Sequence, residues 1–473
     1  MRANFLIAVL ALVAYVTAKV DKKKIVCYFG SWAVYRPGNG LFEISDIDPT
    51  LCTHLVYTFI GIEENADVVI LDRWADLPDG GGKNGYAIFN QLRGTSPDTR
   101  TLIAVGGWNQ GSRNYSVVAA DPALRVKLAD NLVRFARKYG FDGLDFDWEY
   151  PNQREGSSKA DRRNFVLLLR ELRKRCDEAG LLLTAAVGGA SSSAKKSYII
   201  PEIVKYLDIV SLMIYDLHGE WDNKTGINAP FYPGSWETGD ERLLNVNESI
   251  NYWLSEGATR EKLVLGIPTY GRTFTLKDPK NNRIGAPTTG PGRAGPYTRE
   301  KSSLGYNEIC EMQLNEEDWE VYFQEEQRVP YAVKGDQWVG YDNVKSVTEK
   351  AEFVKTLGLG GAMIWSIETD DFRGICGAKY PLLKTLNHIL RNGQALPPLP
   401  TTTKAPPHAV EPQCTSAGYV RDFYDCAVFY HCMPDGNGGY NKFRLQCPNN
   451  KHFNEKNNSC DDPDKVDCVP IFY

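Results

Sequence analysis

The chain has 473 residues, and its 54 Lys and Arg against 59 Asp and Glu give a formal net charge of -5 at neutral pH. The proportions of apolar and charged residues are those of globular proteins. The chain is longer than one small hydrophobic core usually accommodates, so we expect one large domain and a further unit. No long Lys/Arg block could follow a phosphate backbone, which argues against nucleic acid as a partner.

The N-terminal segment has the pattern of a secretory signal peptide. Met1 and Arg2 form a short charged start, and the apolar run FLIAVLALVAYV follows and ends in small residues at Ala18. The run is shorter than the roughly 20 apolar residues of a membrane anchor. We therefore expect residues 1–18 to be removed and the protein to be secreted to the extracellular space, with no membrane as a partner.

Eight short apolar runs, rich in β-branched and aromatic residues, recur along the next part of the chain. They read KIVCYFGSW, LCTHLVYTFI, RTLIAVGGW, FDGLDFDWEY, LLLTAAVGG, LDIVSLMIYD, KLVLGIPTYG and GGAMIWSIE. Amphipathic helical patterns, clearest at residues 121–140, 164–180 and 346–358, separate several of them. This alternation predicts an α/β fold, a (β/α)8 TIM barrel over residues 19–393, with an α+β insertion between strands 7 and 8 at about residues 272–340. A doubly wound open sheet is the alternative, but no GxGxxG follows the first run.

The C-terminal part differs in composition. Residues 394–413 are rich in Pro and Thr and predict a semi-rigid linker. Residues 414–473 hold six of the eleven cysteines, which in a secreted chain predicts a small disulfide-rich β domain. Zinc is the alternative for these six, but they contain no CxxC pair. The other five cysteines are odd in number, and Cys176, within a helical pattern, is predicted to be free.

Three acids share one parity in the fourth run, DGLDFDWEYP: Asp145, Asp147 and Glu149. Because one parity of a barrel strand faces the lumen, these acids should rise toward the C-terminal mouth, where barrel enzymes place catalysis. A solvated edge would explain acids elsewhere, but a barrel strand has no solvated face, and burying carboxylates is costly. The glycine and distal Glu of a calcium loop are missing, so we expect no metal and no cofactor.

The crowding of three carboxylates predicts that one or two hold a proton with a raised pKa. Glu149, nearest the mouth, is the candidate general acid, and glycoside hydrolysis is the leading reaction for such an acid. Asp147 shares a strand with Glu149 and approaches from the same side, so the attacking group must come from elsewhere. A 2-acetamido group of the substrate is a candidate.

Other strand ends supply polar and aromatic groups to the same mouth. SLMIYD brings Met213, Tyr215 and Asp216, GIPTYGR brings Tyr270 and Arg272, and AMIWS brings Trp365. One aromatic residue at a strand end is more often part of the core than a ligand contact. Several that converge on one mouth are typical of a sugar-binding pocket, in which apolar walls carry few polar groups.

The stretch DGLDFDWEYP resembles the DxxDxDxE signature of family 18 glycoside hydrolases, the chitinases. The resemblance runs from VCYFGSW through AVGGW, MIYD and GIPTYGR to GGAMIWS. It implies that Glu149 protonates the glycosidic oxygen, that Asp147 orients the acetamido group as it attacks C1, and that Asp145 tunes the proton of Asp147. The family often has Ser where this chain has Ala104, so one hydroxyl near Asp145 is missing.

The same resemblance implies the rest of the site. Tyr215 and Asp216 would position the acetamido group, and Trp365 would form the floor beneath the reacting sugar. The other implied substrate-binding residues are Tyr28, Phe59, Gly107, Met213, Tyr270 and Arg272 in the pocket, and Trp32, Trp108, Trp221 and Glu300 further along the cleft. It also implies the disulfides Cys27–Cys52 and Cys310–Cys376.

The cysteine-rich tail resembles the peritrophin-A type chitin-binding domain, which implies the pairings Cys414–Cys432, Cys426–Cys468 and Cys447–Cys460. The sequence thus predicts a secreted endochitinase that hydrolyses β-1,4 linkages of chitin and chitooligosaccharides with retention. A non-catalytic chitin-binding lectin is one alternative, against which Glu149 argues. An endo-N-acetylglucosaminidase acting on glycoproteins is another, with less reason to carry the tail. Sequons that permit N-glycosylation stand at Asn114, Asn223, Asn247 and Asn457.

Overall fold

The computed structural model describes residues 23–316, 318–392, 414, 416–422, 426–434, 439–448 and 451–466. The predicted signal peptide and linker lie outside these residues. In the described part of the chain, no helix is both long enough and apolar enough to cross a bilayer.

The large domain is built on parallel strands with hydrophobic, β-branched sequences. Its strands in chain order are β1 Lys24–Gly30, β2 His54–Ile62, β3 Val68–Ile70, β4 Arg100–Gly106, β5 Gly143–Asp147, β6 Leu182–Gly188, β7 Ile209–Met213, β8 Leu263–Pro268, β9 Tyr270–Leu276, β10 Thr288–Pro291, β11 Ser303–Gly305, β12 Glu320–Gln324, β13 Val329–Lys334, β14 Gln337–Gly340 and β15 Gly361–Trp365.

Eight of these strands close into a barrel in the order β1, β2, β4, β5, β6, β7, β8 and β15, and β15 pairs again with β1. All eight barrel pairings are parallel. Each barrel strand corresponds to one of the eight predicted runs, so the predicted barrel is confirmed. Its strands are buried on both faces because helices cover the outside, which explains their nearly continuous apolar sequences.

The helices lie between the strands in sequence. They are α1 Arg73–Asp76, α2 Gly85–Gln91, α3 Arg113–Ala120, α4 Pro122–Tyr139, α5 Asp161–Ala179, α6 Ser191–Ser197, α7 Ile200–Tyr206, α8 Val246–Ser255, α9 Tyr306–Asn315, α10 Val344–Thr356 and α11 Pro381–Asn387. Helix α4 shows how the sequence sets their ends. The Asp121 carboxylate accepts the N–H groups of Ala123 and Leu124, and Gly140 ends the helix at a φ of 80°.

The parity of the fourth barrel strand is as the sequence predicts. Leu144, Phe146 and Trp148 pack in the core between barrel and helices, whereas Asp145 and Asp147 occupy the opposite parity. The strand ends earlier than the predicted run, at Asp147, after which the Trp148 indole N–H donates to the Ser112 hydroxyl at 3.0 Å. The acid that follows, Glu149, therefore lies on a loop at the mouth.

The α+β insertion between the seventh and eighth barrel strands is also confirmed. It consists of an antiparallel sheet in the order β10, β9, β14, β13, β12, with β11 paired to β9, and of helix α9. The insertion begins at Tyr270, two residues before the predicted boundary, because β9 follows β8 after a single residue. A disulfide, Cys310–Cys376, ties α9 to the segment that follows β15.

The tail forms two small sheets. Strands β16 Gly418–Arg421, β17 Val428–Pro434 and β18 Tyr440–Gln446 make one, and β19 His452–Asn454 and β20 Ser459–Asp461 make the other. The structure confirms the disulfides Cys27–Cys52, Cys414–Cys432 and Cys447–Cys460, and it leaves Cys176 free and buried. Cys468, the predicted partner of Cys426, lies outside the described residues.

Candidate active site

A column of carboxylates runs up the barrel interior. Asp145 is completely buried, with the Tyr28 hydroxyl donating to its Oδ2 at 2.6 Å and the Thr184 hydroxyl to its Oδ1. Asp147 Oδ1 accepts the backbone N–H of Ala186 at 2.9 Å. The strand register sets Ala104 opposite Asp145, so the hydroxyls that contact Asp145 come from other strands, β1 and β6.

The acids of this column hold protons more tightly than free carboxyls. Burial raises the pKa of Asp145, although hydrogen bonds from Asp147, Thr184 and Tyr28 oppose the rise. Burial raises the pKa of Asp147 well above its usual value, and the neighbouring charge of Asp145 raises it further. Ionising both carboxyls would place like charges side by side in the barrel interior, so we expect one proton to stay on the pair near neutral pH.

Glu149 lies above this pair and is only partly buried. Burial raises its pKa to about 7, with a smaller rise from Asp216, while a hydrogen bond from Tyr150 and the charge of Arg154 oppose the rise. A carboxyl with this pKa is protonated in a large fraction of molecules near neutral pH and can act as a general acid.

Arg154 is a site residue that the sequence reasoning missed. Its guanidinium lies 3.8 Å from the centre of the Trp108 ring, and it donates to the carbonyls of Trp108 and, at 3.2 Å, Glu149. It therefore joins the loop after β4 to the loop after β5. Its position only five residues beyond Glu149 was a signal, although contact with Trp108 depends on how both loops fold.

A second polar cluster lies across the mouth, around Asp216. Its Oδ1 accepts the Tyr270 hydroxyl at 2.6 Å and Arg272 Nε at 2.7 Å, and its N–H donates to Asn228 Oδ1 at 2.8 Å. Tyr270 and Arg272 belong to β9, so the insertion rather than a barrel strand supplies them. The ring of Tyr215 lies 6.0 Å from that of Tyr270, in an edge-on arrangement. Asn228 was missed because it lies in an irregular loop.

Aromatic rings on or just after three neighbouring barrel strands, β15, β1 and β2, form another wall of the site. We call Trp32, Phe59 and Trp365 the aromatic platform, because their ring centres lie 5.9 to 6.3 Å apart. The Tyr28 ring lies 5.5 Å from Trp365, so the platform adjoins the carboxylate column. Gly107 permits this packing: a Cβ there would lie 2.7 Å from the Phe59 ring, and its φ of 82° disfavours any other residue.

The remaining predicted residues make fewer contacts with the rest of the candidate site. Met213 ends β7 and packs with the apolar residues of the barrel interior. Trp108 and Trp221 are more than half exposed, and Arg272 lies 5.3 Å from the Trp221 ring. Glu300 is exposed on the loop before β11, and the structure gives no contact that joins it to the other predicted residues. Its role in binding remains a prediction.

One group of side chains in the described part of the chain is close enough to resemble a metal site: Cys310, Asp371 and Cys376. The two sulfurs are joined in a disulfide, so neither is a thiolate ligand. The Asp371 carboxylate accepts the backbone N–H groups of Gly374, Ile375 and Cys376. The cluster is therefore explained by a disulfide and a capped loop.

Comparison with known proteins identifies the family. Residues 24–370 match the family described as Glycosyl hydrolases family 18, and residues 414–468 match the Chitin binding Peritrophin-A domain. The chain therefore belongs to glycosyl hydrolase family 18 and carries a peritrophin-A domain at its C-terminal end.

Individual relatives agree with this assignment. An endochitinase of Manduca sexta is 40% identical over 88% of this chain and 76% of its own length. The Group IV chitinase of Ostrinia furnacalis, solved with allosamidin, is 45% identical over 79% of this chain and all of its own, with a TM-score of 0.76. Human YKL-39, described as a pseudo-chitinase with retained chitooligosaccharide binding, is 37% identical over 78% of this chain and 99% of its own, with a TM-score of 0.72.

Proposed function

We propose that this protein is a secreted, endo-acting chitinase that cleaves β-1,4 linkages between N-acetylglucosamine units with retention. The observation that carries the proposal is the position of Glu149, a partly buried acid on the loop that follows β5, two residues beyond the buried carboxylates Asp145 and Asp147, where burial raises its pKa to about 7. Glu149 is therefore accessible to a substrate at the mouth, while the buried pair Asp145 and Asp147 can respond to a change in charge.

In the first step Glu149 gives its proton to the glycosidic oxygen. The bond from C1 to that oxygen breaks as the carbonyl oxygen of the substrate's own 2-acetamido group bonds to C1, which forms an oxazolinium ion. The acetamido N–H donates to Asp147, whose negative charge stabilises the ion, while the shared proton rests on Asp145. Tyr215 and Asp216 hold the acetamido group in place, and Asp216 is itself fixed by Tyr270 and Arg272.

In the second step water attacks C1 from the side that the leaving group vacated, and its proton returns to Glu149. The C1–O bond of the oxazolinium ring breaks, the acetamido group is restored, and the product keeps the configuration of the substrate. Two inversions at C1 thus replace the protein nucleophile that retaining glycosidases usually require.

The cleft suits a long chain of sugars. The aromatic platform offers ring faces, and two further exposed rings lie next to the site: Trp108 packs on Arg154, which donates to the Glu149 carbonyl, and Trp221 lies near Arg272, which binds Asp216. Sugar C–H faces pack well on aromatic rings, which bury apolar area without needing charge. Binding on both sides of the cleaved bond is what an endo-acting enzyme needs.

We further propose that the barrel and insertion, residues 19–393, form the catalytic domain, that residues 394–413 are a linker, and that residues 414–473 bind chitin. One face of the tail's three-stranded sheet supports this. Tyr419, His431 and Phe443 stand opposite one another on adjacent strands, and Tyr419 and Phe443 are 42% and 50% exposed. Exposed aromatics in a row on so small a domain indicate a binding face.

The tail would act by holding the catalytic domain near an insoluble polymer, where its effective concentration rises. The proposal of secretion rests on a separate observation: both domains contain disulfides, which form in an oxidising compartment. The pseudo-chitinase among the relatives makes a non-catalytic lectin the competing function, and Glu149 is the residue that argues against it.

The experiment that tests this function is a time course with a chitin hexamer as substrate, in which product lengths and anomers are measured together. We expect internal cleavage and β-anomers as first products. An inverted product would contradict the use of the acetamido group, and release of single sugars alone would contradict endo action. A chain that binds the hexamer without cleaving it would be the lectin.

A further inference from the structure

A buried carboxylate lies next to the aromatic platform, outside the column of Asp145, Asp147 and Glu149. Glu368 follows β15 in a short 3-10 helix, Ile367–Thr369, and its side chain is completely buried. Burying a carboxylate is costly unless it is hydrogen-bonded and paired. Glu368 takes no part in the proton transfers proposed above, so its presence there needs another explanation.

The partners of Glu368 come from two different segments. Its Oε1 accepts the Ser366 hydroxyl at 2.6 Å, and its Oε2 accepts the Gly30 N–H at 3.2 Å. Arg36 Nη2 lies 3.8 Å from Oε1, and Arg36 Nη1 donates to the Glu368 carbonyl at 3.2 Å. One side chain therefore holds together the segments that end and follow two neighbouring barrel strands, β1 and β15.

These two segments carry two rings of the platform. Trp32 lies between Gly30 and Arg36 in the chain, and Trp365 immediately precedes Ser366. The ring centres of Trp32 and Trp365 are 6.3 Å apart, and Trp32 is 39% exposed.

The space around Gly30 links the carboxylate directly to the first ring. A Cβ on Gly30 would lie 2.6 Å from Glu368 Oε1 and 2.8 Å from the Trp32 ring, so both groups close on the same glycine. A change in the position of Glu368 therefore changes where Trp32 can lie relative to Trp365.

We propose that Glu368 is a positioning residue that fixes Trp32 relative to Trp365 and thereby sets the affinity for chitin oligomers that lie on both rings. The inference rests on the proposed function, because it takes the platform as a surface for sugars. The competing explanation is that Glu368 and Arg36 contribute only to folding stability, as many buried ion pairs do.

The chain offers a matched control for that explanation. Arg93 and Asp142 form another ion pair, with side chains 29% and 21% exposed, in which Arg93 Nη1 lies 2.7 Å from Asp142 Oδ1 and Asp142 Oδ2 accepts the Thr101 N–H at 2.8 Å. Asp142 immediately precedes β5, at the end of the barrel opposite the mouth. Asp142→Asn should lower the melting temperature but leave the Kd for a chitin hexamer unchanged.

The test measures hexamer binding by calorimetry in the Glu149→Gln background, so that no substrate is consumed. Adding Glu368→Gln should weaken binding about tenfold, because a misplaced ring loses its contact with the sugar. Adding Trp32→Ala should weaken binding as well. In the variant that carries both changes, Glu368→Gln should add less than about twofold, because it acts through the ring that has been removed.

If Glu368→Gln does not fold, Ser366→Ala provides a milder variant. It deletes one hydrogen bond to Glu368 and should also weaken hexamer binding. The inference is wrong if a folded Glu368→Gln protein binds the hexamer as tightly as its parent, or if its effect adds fully to that of Trp32→Ala. Failure of the parent itself to bind the hexamer would instead contradict the proposed function.

Discussion

The hydroxyl of Tyr28 donates to Oδ2 of Asp145 across 2.6 Å, joining β1 to β5 through the interior of the barrel. This bond stabilises the ionised form of Asp145 and so opposes the rise in its pKa that burial causes. The pKa at which the pair Asp145 and Asp147 gives up a proton therefore depends in part on a tyrosine more than a hundred residues earlier in the chain.

Tyr28→Phe should shift the acidic limb of the pH profile of kcat/KM to higher pH. The pair must carry one negative charge to accept the acetamido N–H, and losing a hydrogen bond to the charged form raises its pKa. The expected shift is roughly one pH unit, since such a bond is worth about as much free energy as one unit of pKa.

Tyr86→Phe is the matched control for this change. Tyr86 donates to Asp76 at 2.9 Å, so it makes the same kind of bond, but outside the barrel. Its loss should reduce stability without moving the acidic limb. An unmoved limb in Tyr28→Phe, or equal shifts in both variants, would count against the proton-sharing pair.

Arg154→Met should move the basic limb of the kcat profile to higher pH. The positive charge of Arg154 lowers the pKa of Glu149, so its removal lets that pKa rise above about 7. Glu149 acts when protonated, and the active form should persist roughly half a pH unit further. Arg113→Met removes an exposed surface cation paired with Glu64 and should leave the limb in place. A shift to lower pH in Arg154→Met would contradict this role.

Phe443→Ala should lower activity on insoluble chitin about fivefold and leave kcat/KM for soluble oligomers unchanged within experimental error. The reason is that the tail raises the concentration of the catalytic domain at the polymer surface but takes no part in bond cleavage. Removing residues 394–473 should act in the same direction and more strongly. Tyr440→Ala is the control, since Tyr440 lies on the same strand with opposite parity and is 38% exposed. Equal losses from the two point variants, or equal losses on both substrates, would show that the proposed face does not bind chitin.

The parts of the fold that repeat could be predicted from the sequence. Eight apolar runs separated by helices indicate a barrel, and the parity of Asp145 and Asp147 against Leu144 and Phe146 gives the direction of their side chains. The ends of elements were less predictable. Trp148 continues the alternation of the strand although the strand has ended, since its indole packs outward on a loop.

Site residues far apart in sequence were harder to find. Thr184 contacts Asp145 only because β6 lies beside β5, and its one signal was a polar residue within an apolar run. Arg154 and Asn228 act from loops, whose shapes local patterns do not give. Tyr270 and Arg272 were predicted for the mouth as the end of the seventh barrel strand, with the insertion beginning at about Arg272, whereas both lie on β9 of the insertion.

The central claim is that Glu149 is the general acid for chitin cleavage. Its most direct test compares wild type with Glu149→Gln for turnover of a chitin hexamer, alongside hexamer binding by the same two proteins. We expect kcat to fall by about a thousandfold or more, because the proton donor is lost, while binding persists. Turnover by Glu149→Gln at the wild-type rate would contradict the mechanism proposed here.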